Sequence, residues 1–260
     1  MSGVFQPNLL AAKSAYITGG SSGICFGIAQ LFAAHGARTG IQGRNQEKLD
    51  AAVAALGPLA SGYAADVRDY DATAGALAAF ASTGPIDILV CGAAGNFPAP
   101  VTAMSANGFK AVVDIDLLGT FNACRAAFDL LRKPGASVIS ISATHGSHPY
   151  AAQAHVCAAK AGVDMLNRVL ALEWGPAGVR VNVIAPGPVD ETEGMRRLAP
   201  TPEARAQVAR NVPLGRFASI DEIAQAALFL SSPAAAYITG TILTVDGGVS
   251  LTGGRFLARD

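Results

Sequence analysis

Charge is scarce in this chain and evenly balanced. Lysine and arginine number 19, aspartate and glutamate number 19, and charged residues make up only 15% of the 260 positions. A neutral chain does not advertise nucleic acid or an anionic membrane surface as a partner. Cysteine is rare as well. The four, Cys25, Cys91, Cys124 and Cys157, are far apart in apolar runs and form no CxxC pair. That spacing argues against a disulfide framework or a metal site, and for small buried hydrophobes in a reducing compartment. The chain does not open on a basic stretch followed by an apolar core and a cleavage site, the mark of a secretory signal. No apolar run approaches the roughly 20 residues that span a bilayer. The last five residues, Phe256 to Asp260, are not a Ser-Lys-Leu-type peroxisomal address. A cytoplasmic protein that binds neither membrane nor nucleic acid is the expectation.

What the chain does have is apolar residues, 51% of the total, enough for one sizeable core. A single domain over residues 1–260 is expected. Short β-prone runs alternate with longer alanine-rich helical ones. Strands are expected at 14–18, 37–42, 86–91, 136–142, 179–184 and 242–245, and a further one ends just before Asp66. Helices are expected at 23–35, 45–56, 105–131, 153–174 and 221–230. The alternation predicts an α/β fold, a doubly wound parallel sheet with helices on both faces. Ligands bind such sheets beyond the carboxyl ends of the strands. The stretch 186–202, rich in Pro, Gly and charge, reads as an active-site lid.

The first strand runs into Thr18-Gly19-Gly20-Ser21-Ser22-Gly23-Ile24, and a helix follows. Glycines let the backbone approach a pyrophosphate, and the helix N-terminus offers free N–H groups and positive partial charge. Cys25 stands where a third glycine often lets helix and strand pack closely, so slightly wider packing is expected. The second strand ends in Ile41-Gln42-Gly43-Arg44-Asn45-Gln46-Glu47-Lys48. It carries no carboxylate for the 2′-hydroxyl of NAD, whereas Arg44 and Lys48 suit a 2′-phosphate. NADPH is therefore the expected coenzyme. Asp66 is placed to accept a hydrogen bond from the adenine amino group; a surface turn carboxylate is its plainer reading.

The phosphate loop, then Gly92-Ala93-Ala94-Gly95, Lys160, Pro186-Gly187 and Asp246-Gly247-Gly248 occur in this order. Together they resemble the classical short-chain dehydrogenase/reductase family over nearly the whole chain. The resemblance implies a single-domain Rossmann fold, usually a homotetramer. It implies coenzyme contacts at Gly19, Ser21, Ser22, Gly23, Ile24, Arg44, Lys48, Asp66, Val67, Ala93, Ala94, Gly95, Lys160, Pro186, Gly187 and Val189. It also implies a catalytic Tyr four residues before Lys160, an upstream Ser, and an Asn in the helix after the fourth strand. Those three positions hold Val156, Ala143 and Asp116. A tyrosinate–serine pair is what takes a proton from an alcohol. Ordinary alcohol/ketone interconversion is therefore not expected. A displaced Tyr150 would lie ten residues before Lys160, beyond one helical turn's reach.

The altered set has its own likeness. Gly95-Asn96-Phe97, Asp114-Ile115-Asp116, His155 with Lys160, Glu173-Trp174-Gly175-Pro176, and Ala185-Pro186-Gly187-Pro188 with Glu193-Gly194-Met195-Arg196-Arg197-Leu198 resemble the peroxisomal-type 2,4-dienoyl-CoA reductases. Those enzymes lack the Tyr, use an Asp and the Lys, and reduce a 2,4-dienoyl-CoA to a 3-enoyl-CoA with NADPH. The likeness implies an acyl-CoA substrate and catalysis by Asp116 and Lys160. It places Arg68, Asn96, Phe97, Ser105, Ala106, Asn107 and Arg197 at substrate-contacting positions. Arginine suits the phosphates of CoA through bidentate, charge-assisted bonds. His155 neighbours the vacant Tyr position and stays outside the catalytic pair, and His145 and His148 are possible pocket residues without a metal-ligand pattern. Two other readings stay open: a different enoyl-thioester or enone reductase of this fold, and a catalytically silent NADP-binding sensor.

Overall fold

Parallel strands covered on both sides read as near-continuous apolar runs. Ser14–Thr18 (β1), Ile88–Cys91 (β4) and Ser137–Ile141 (β5) are buried at every residue. The computed structural model describes residues 5–252. In it these strands join Arg38–Gly43 (β2), Ala60–Ala64 (β3), Arg180–Pro186 (β6) and Ile242–Val245 (β7) in one parallel sheet. The order is β3-β2-β1-β4-β5-β6-β7. The strand order reverses between β1 and β4, and a ligand crevice opens at such a switch point. The expected doubly wound α/β architecture is therefore found. The chain end at Phe256 to Asp260 lies outside the described residues.

Side chains alternate across each strand, so β1 feeds two cores. Ile17 joins Ile28 and Phe32 of helix Gly23–Ala34 (α1) with Ile223 and Leu228 of Ile220–Ser231 on one face. Tyr16 joins Leu77 and Phe80 of Tyr70–Ala81, Cys124 of Gly119–Ala127 and Trp174 of Ala154–Trp174 on the other. In chain order the remaining helices are Gln46–Leu56 (α2), Ala106–Val113 (α4), Glu193–Leu198 (α7) and Pro202–Asn211 (α8). Tyr70–Ala81 is thus α3, Gly119–Ala127 α5, Ala154–Trp174 α6 and Ile220–Ser231 α9.

Three segments differ from the expectation. Helix α3 was not expected, because alanines occupy half its length and leave little periodic contrast. Helix α8 buries none of its residues, so it shows no apolar stripe. The expected helix 105–131 is interrupted: α4 and α5 are joined by a π-helical turn, Asp114–Leu118. The lid stretch contains α7, capped by Thr192, whose side chain accepts from the Met195 N–H.

The wider packing expected at Cys25 has a compensating partner. A Cβ at Gly92 would overlap the Cys25 Sγ, so the glycine after β4 makes room for the thiol. Burial pushes the Cys25 thiol up to about 12, despite the opposing charge of Lys160. It therefore stays a neutral packing group. The Gly92→Ala variant is expected to lose about 1–3 kcal/mol by overpacking. The Cys25→Ala/Gly92→Ala double variant should recover most of that loss, read from urea midpoints.

Candidate active site

A cleft of 640 Å³ opens at the switch point. Its walls include the phosphate-loop residues Gly19, Ser21, Ser22, Gly23 and Ile24, then Arg44, Lys48, Asp66, Val67, Ala93, Ala94 and Lys160. Most of the expected coenzyme contacts are thus brought to one place. The α1 N-terminus differs from those of α2, α3, α4, α7, α8 and α9, where a side chain accepts from the first turn. At Ser22 no side chain does so, which leaves the first N–H groups of α1 free for an anion. Arg44 and Lys48 make no ion pair among the described residues. Gln42 is turned inward instead, accepting from the Tyr16 hydroxyl at 3.0 Å and donating toward Thr73 at 3.2 Å. These residues fit a phosphorylated dinucleotide.

The other expected contacts are placed differently. Gly95 donates its N–H to Asp116. Gly187 packs against the backbone of Asp246, and Val189 is buried in the core. Pro186, Gly187 and Val189 do not line the cleft among the described residues. Asp66 is held by Arg68 through contacts of 2.6–3.1 Å. The Arg68 guanidinium, its chief partner, draws the Asp66 carboxyl below its ordinary value. Arg68 is accordingly folded back on its own loop.

Beside the cleft lies the one ion pair among the described residues whose two side chains are both buried. Asp116 is 1% exposed and the Lys160 side chain 7%. Lys160 Nζ stands 3.1 Å from Asp116 Oδ2 and donates to the Ile141 carbonyl at 3.0 Å. Asp116 Oδ1 accepts from the Gly95 N–H at 2.7 Å. The π turn places Asp116 inward, and the Thr120 hydroxyl donates to the Asp116 carbonyl at 2.7 Å. Oδ2 lies close to the ammonium but receives no aligned hydrogen bond, so it retains room for another donor.

The vacant Tyr position is filled by hydrocarbon. Val156 is buried with Val112 and Ala159, and Phe97, Val113 and Leu117 pack against them. The displaced candidate is occupied elsewhere, since the Tyr150 hydroxyl sits 2.7 Å from that of Thr144 and its ring stacks on His145. Burial lowers the His145 imidazole to about 4, so it is neutral near pH 7.

Substrate-side residues are partly drawn together. Phe97 lies edge-on to His155 with ring centroids 4.4 Å apart. Arg197 on α7 donates to the Asn96 carbonyl at 3.3 Å and to Glu193 at 3.0 Å, tying the lid to the loop after β4. Ser105 is the N-cap of α4, its hydroxyl accepting from the Gly108 N–H, with Ala106 and Asn107 in the first turn beyond it. Sequence reasoning missed another signal. Buried side-chain atoms without a hydrogen-bond partner gather here, on Asn96, Asp116, Ser142, His145, Gln153, His155 and Asp164. Each such atom costs about 1–3 kcal/mol. Of these residues Ser142 lines the cleft, and Asp116 is paired with the cleft residue Lys160. Ser142 and Ile115, which also line the cleft, were not among the expected contacts.

The family model described as "Enoyl-(Acyl carrier protein) reductase" matches residues 19–250. A solved short chain dehydrogenase from Bacillus anthracis superposes with a TM-score of 0.86 at 36% identity, covering 98% of this chain and 100% of that one. The chain belongs to the short-chain dehydrogenase/reductase family. Its coenzyme is a nicotinamide nucleotide. Peroxisomal 2,4-dienoyl-CoA reductase [(3E)-enoyl-CoA-producing] of Danio rerio is 43% identical, across 98% of this chain and 87% of that protein. The Saccharomyces cerevisiae enzyme of the same description is 40% identical, across 95% and 87%. These relatives correct the expectation of a cytoplasmic protein, because both are peroxisomal by name. That expectation rested on a missing terminal motif, and the fold and the site carry no information about compartment.

A buried ion pair is costly to break and cheap to remove whole. Lys160→Met, which strands Asp116, is expected to lose about 3–5 kcal/mol in urea unfolding of the free protein. Asp116→Leu combined with Lys160→Met should regain most of it.

Proposed function

We propose that the chain catalyses the NADPH-dependent reduction of a 2,4-dienoyl-CoA to a 3-enoyl-CoA, an oxidoreductase acting on a CH–CH group. The observation that carries this reading is the buried Asp116–Lys160 pair in a site whose phenol position is Val156. Relatives named 2,4-dienoyl-CoA reductase at 40% and 43% identity support it.

NADPH, when held by the phosphate loop with Arg44 and Lys48, would supply the hydride that the far carbon of the conjugated acyl chain accepts. Negative charge then spreads toward the thioester oxygen, and no hydroxyl has to be deprotonated. Asp116 and Lys160, in direct contact, together hold a water molecule beside the pair, and that water protonates the chain. Lys160 is held against the carboxylate and anchored on the Ile141 carbonyl. Donors aimed at developing charge in a dry site are worth far more than in water. Val156 and its aliphatic neighbours keep that end of the site dry.

The coenzyme contacts proposed are those that the cleft gathers, with Gly95, Pro186, Gly187 and Val189 acting through backbone. Arg44 and Lys48 favour the 2′-phosphate of NADPH. Asn96, Phe97, Ser105, Ala106, Asn107 and Arg197 face the acyl-CoA, and Arg68 joins them once released from Asp66. One domain spans residues 1–260, and the chain assembles as a homotetramer. An apolar stripe supports assembly: Leu118, Phe121, Met165, Val169 and Leu172 are all exposed on α5, α6 and the π turn.

Two outcomes test this. With a panel of dienoyl-CoA, enoyl-CoA and ketoacyl-CoA, NADPH loss is expected with the dienoyl-CoA alone. Asp116→Ala and Lys160→Ala should each lower that rate by about 100-fold or more. A panel active on the enoyl thioesters instead would favour a different reductase of this fold. Separately, Arg44→Ser is expected to weaken NADPH binding by about 10- to 100-fold while leaving NADH nearly unchanged, since a charged hydrogen bond is worth about 1.5–3 kcal/mol. Fluorescence titration of the two coenzymes measures it.

A further inference from the structure

Helix α6 turns three polar side chains toward β5 and the turn after it: Lys160, Asp164 and Asn167. Spacings of four and three put them on one helix face. Two of the three are tied in place. Lys160 reaches the Ile141 carbonyl, and Asn167 accepts from the Ser140 hydroxyl at 2.9 Å while donating to the Val163 carbonyl at 2.8 Å. The middle one is not. Asp164 is 4% exposed, and its Oδ1 has no hydrogen-bond partner.

Two features show that the carboxyl is accommodated there. A Cβ at Gly146 would overlap its Oδ2, so the turn after β5 carries a glycine where the acid needs space. The neighbouring Ser142 hydroxyl is also buried and unpartnered, near the carboxyl but not aligned on it. Ser142 adjoins Ile141, which holds Lys160, and it lines the cleft beside Lys160. The Asn167–Ser140 pair one turn deeper is what a purely structural contact between these elements looks like. The Asp164–Ser142 pair joins the same helix to the residue just past β5, and the Ser142 hydroxyl and Asp164 Oδ1 are left without partners.

We infer that Asp164 and Ser142 deliver the proton which each reduction consumes, from behind Lys160 to the water held by Asp116 and Lys160. This rests on the reduction proposed above. Hydride adds two electrons and one hydrogen to the acyl chain, and the second hydrogen arrives as a proton from the held water. The resulting hydroxide takes the Ser142 O–H proton while the Ser142 oxygen takes the Asp164 carboxyl proton. One O–H bond breaks and one forms at each transfer. Solvent then reprotonates Asp164. Burial raises the Asp164 carboxyl above its ordinary value, against the smaller opposing pulls of Ser142, Arg168 and Lys160. That favours the protonated acid that a donor must be. Asp164 and Ser142 are positioning residues, acting through the water at Asp116.

The isosteric Asp164→Asn tests this. In the free wild-type protein, infrared spectra near neutral pH should show a protonated-carboxyl band that the variant lacks. With NADPH and a dienoyl-CoA, the variant should lose about 10- to 100-fold in kcat with little change in KM. Its solvent isotope effect should rise. The wild-type fall in rate as rising pH removes the Asp164 proton should vanish in the variant. Ser142→Ala should move kcat and the isotope effect in the same direction. An absent carboxyl band, or wild-type kcat and isotope effect in Asp164→Asn, overturns the inference. So does a variant that changes only in melting temperature, with its pH profile intact. If the wild type reduces no dienoyl-CoA, the reduction itself is wrong and the proton's destination goes with it. The infrared band still reports on Asp164 alone.

Discussion

The ion pair between Asp116 and Lys160 is the constraint around which the rest of the site is arranged. Two opposite charges at 3.1 Å with almost no exposure are stable only if their remaining valences are met. The fold meets them from two strand ends and a helical turn. The loop after β4 gives the Gly95 N–H to the carboxylate, and β5 gives the Ile141 carbonyl to the ammonium. The π turn between α4 and α5 carries Asp116 to the pair. Every one of these elements lies at the carboxyl ends of the central strands, beside the switch in strand order. A helix of regular pitch through residues 114–118 would present its side chains in a different rotation.

The same pair divides the cleft by chemistry. Toward β1 and β2 the walls are built for a phosphorylated, sugar-bearing ligand: an uncapped helix end, two cations without acidic partners, and a strand-end amide consumed by the core. On the α6 side lie the cleft residues Lys160 and Ser142, the latter with a buried hydroxyl that lacks a partner, and α6 itself carries the hydrocarbon cluster around Val156. Charge on one side and unmet hydrogen-bonding capacity on the other suit a coenzyme and a long amide-bearing thioester meeting at one point.

Much of this was legible in the sequence. The strands were readable because parallel strands are unbroken apolar runs, and the phosphate loop because its glycines lie between a strand and a helix. Asp116 and Lys160 stood out by their offset from a recognisable template. Helix α3 was obscured by alanines and α8 by its lack of any buried face. The π turn has no composition of its own, so 105–131 read as one helix. Arg68 was readable as a free cation, but spacing does not show that its guanidinium closes on Asp66 two residues away. Ser142, Asp164 and Gly146 depend on contacts across twenty residues of chain, and no local pattern announces them. The compartment was misjudged because it was argued from an absent motif.

Val156 has a meaning beyond the missing phenol. An alcohol entering this cleft would meet a methyl-lined wall where a base would have to be, and its proton would have nowhere to go. With hydrocarbon at that position, discrimination against alcohols would need no steric gate. Selectivity of this kind is exercised at the level of reactivity, and it leaves the size of the pocket free to serve acyl chains of different lengths.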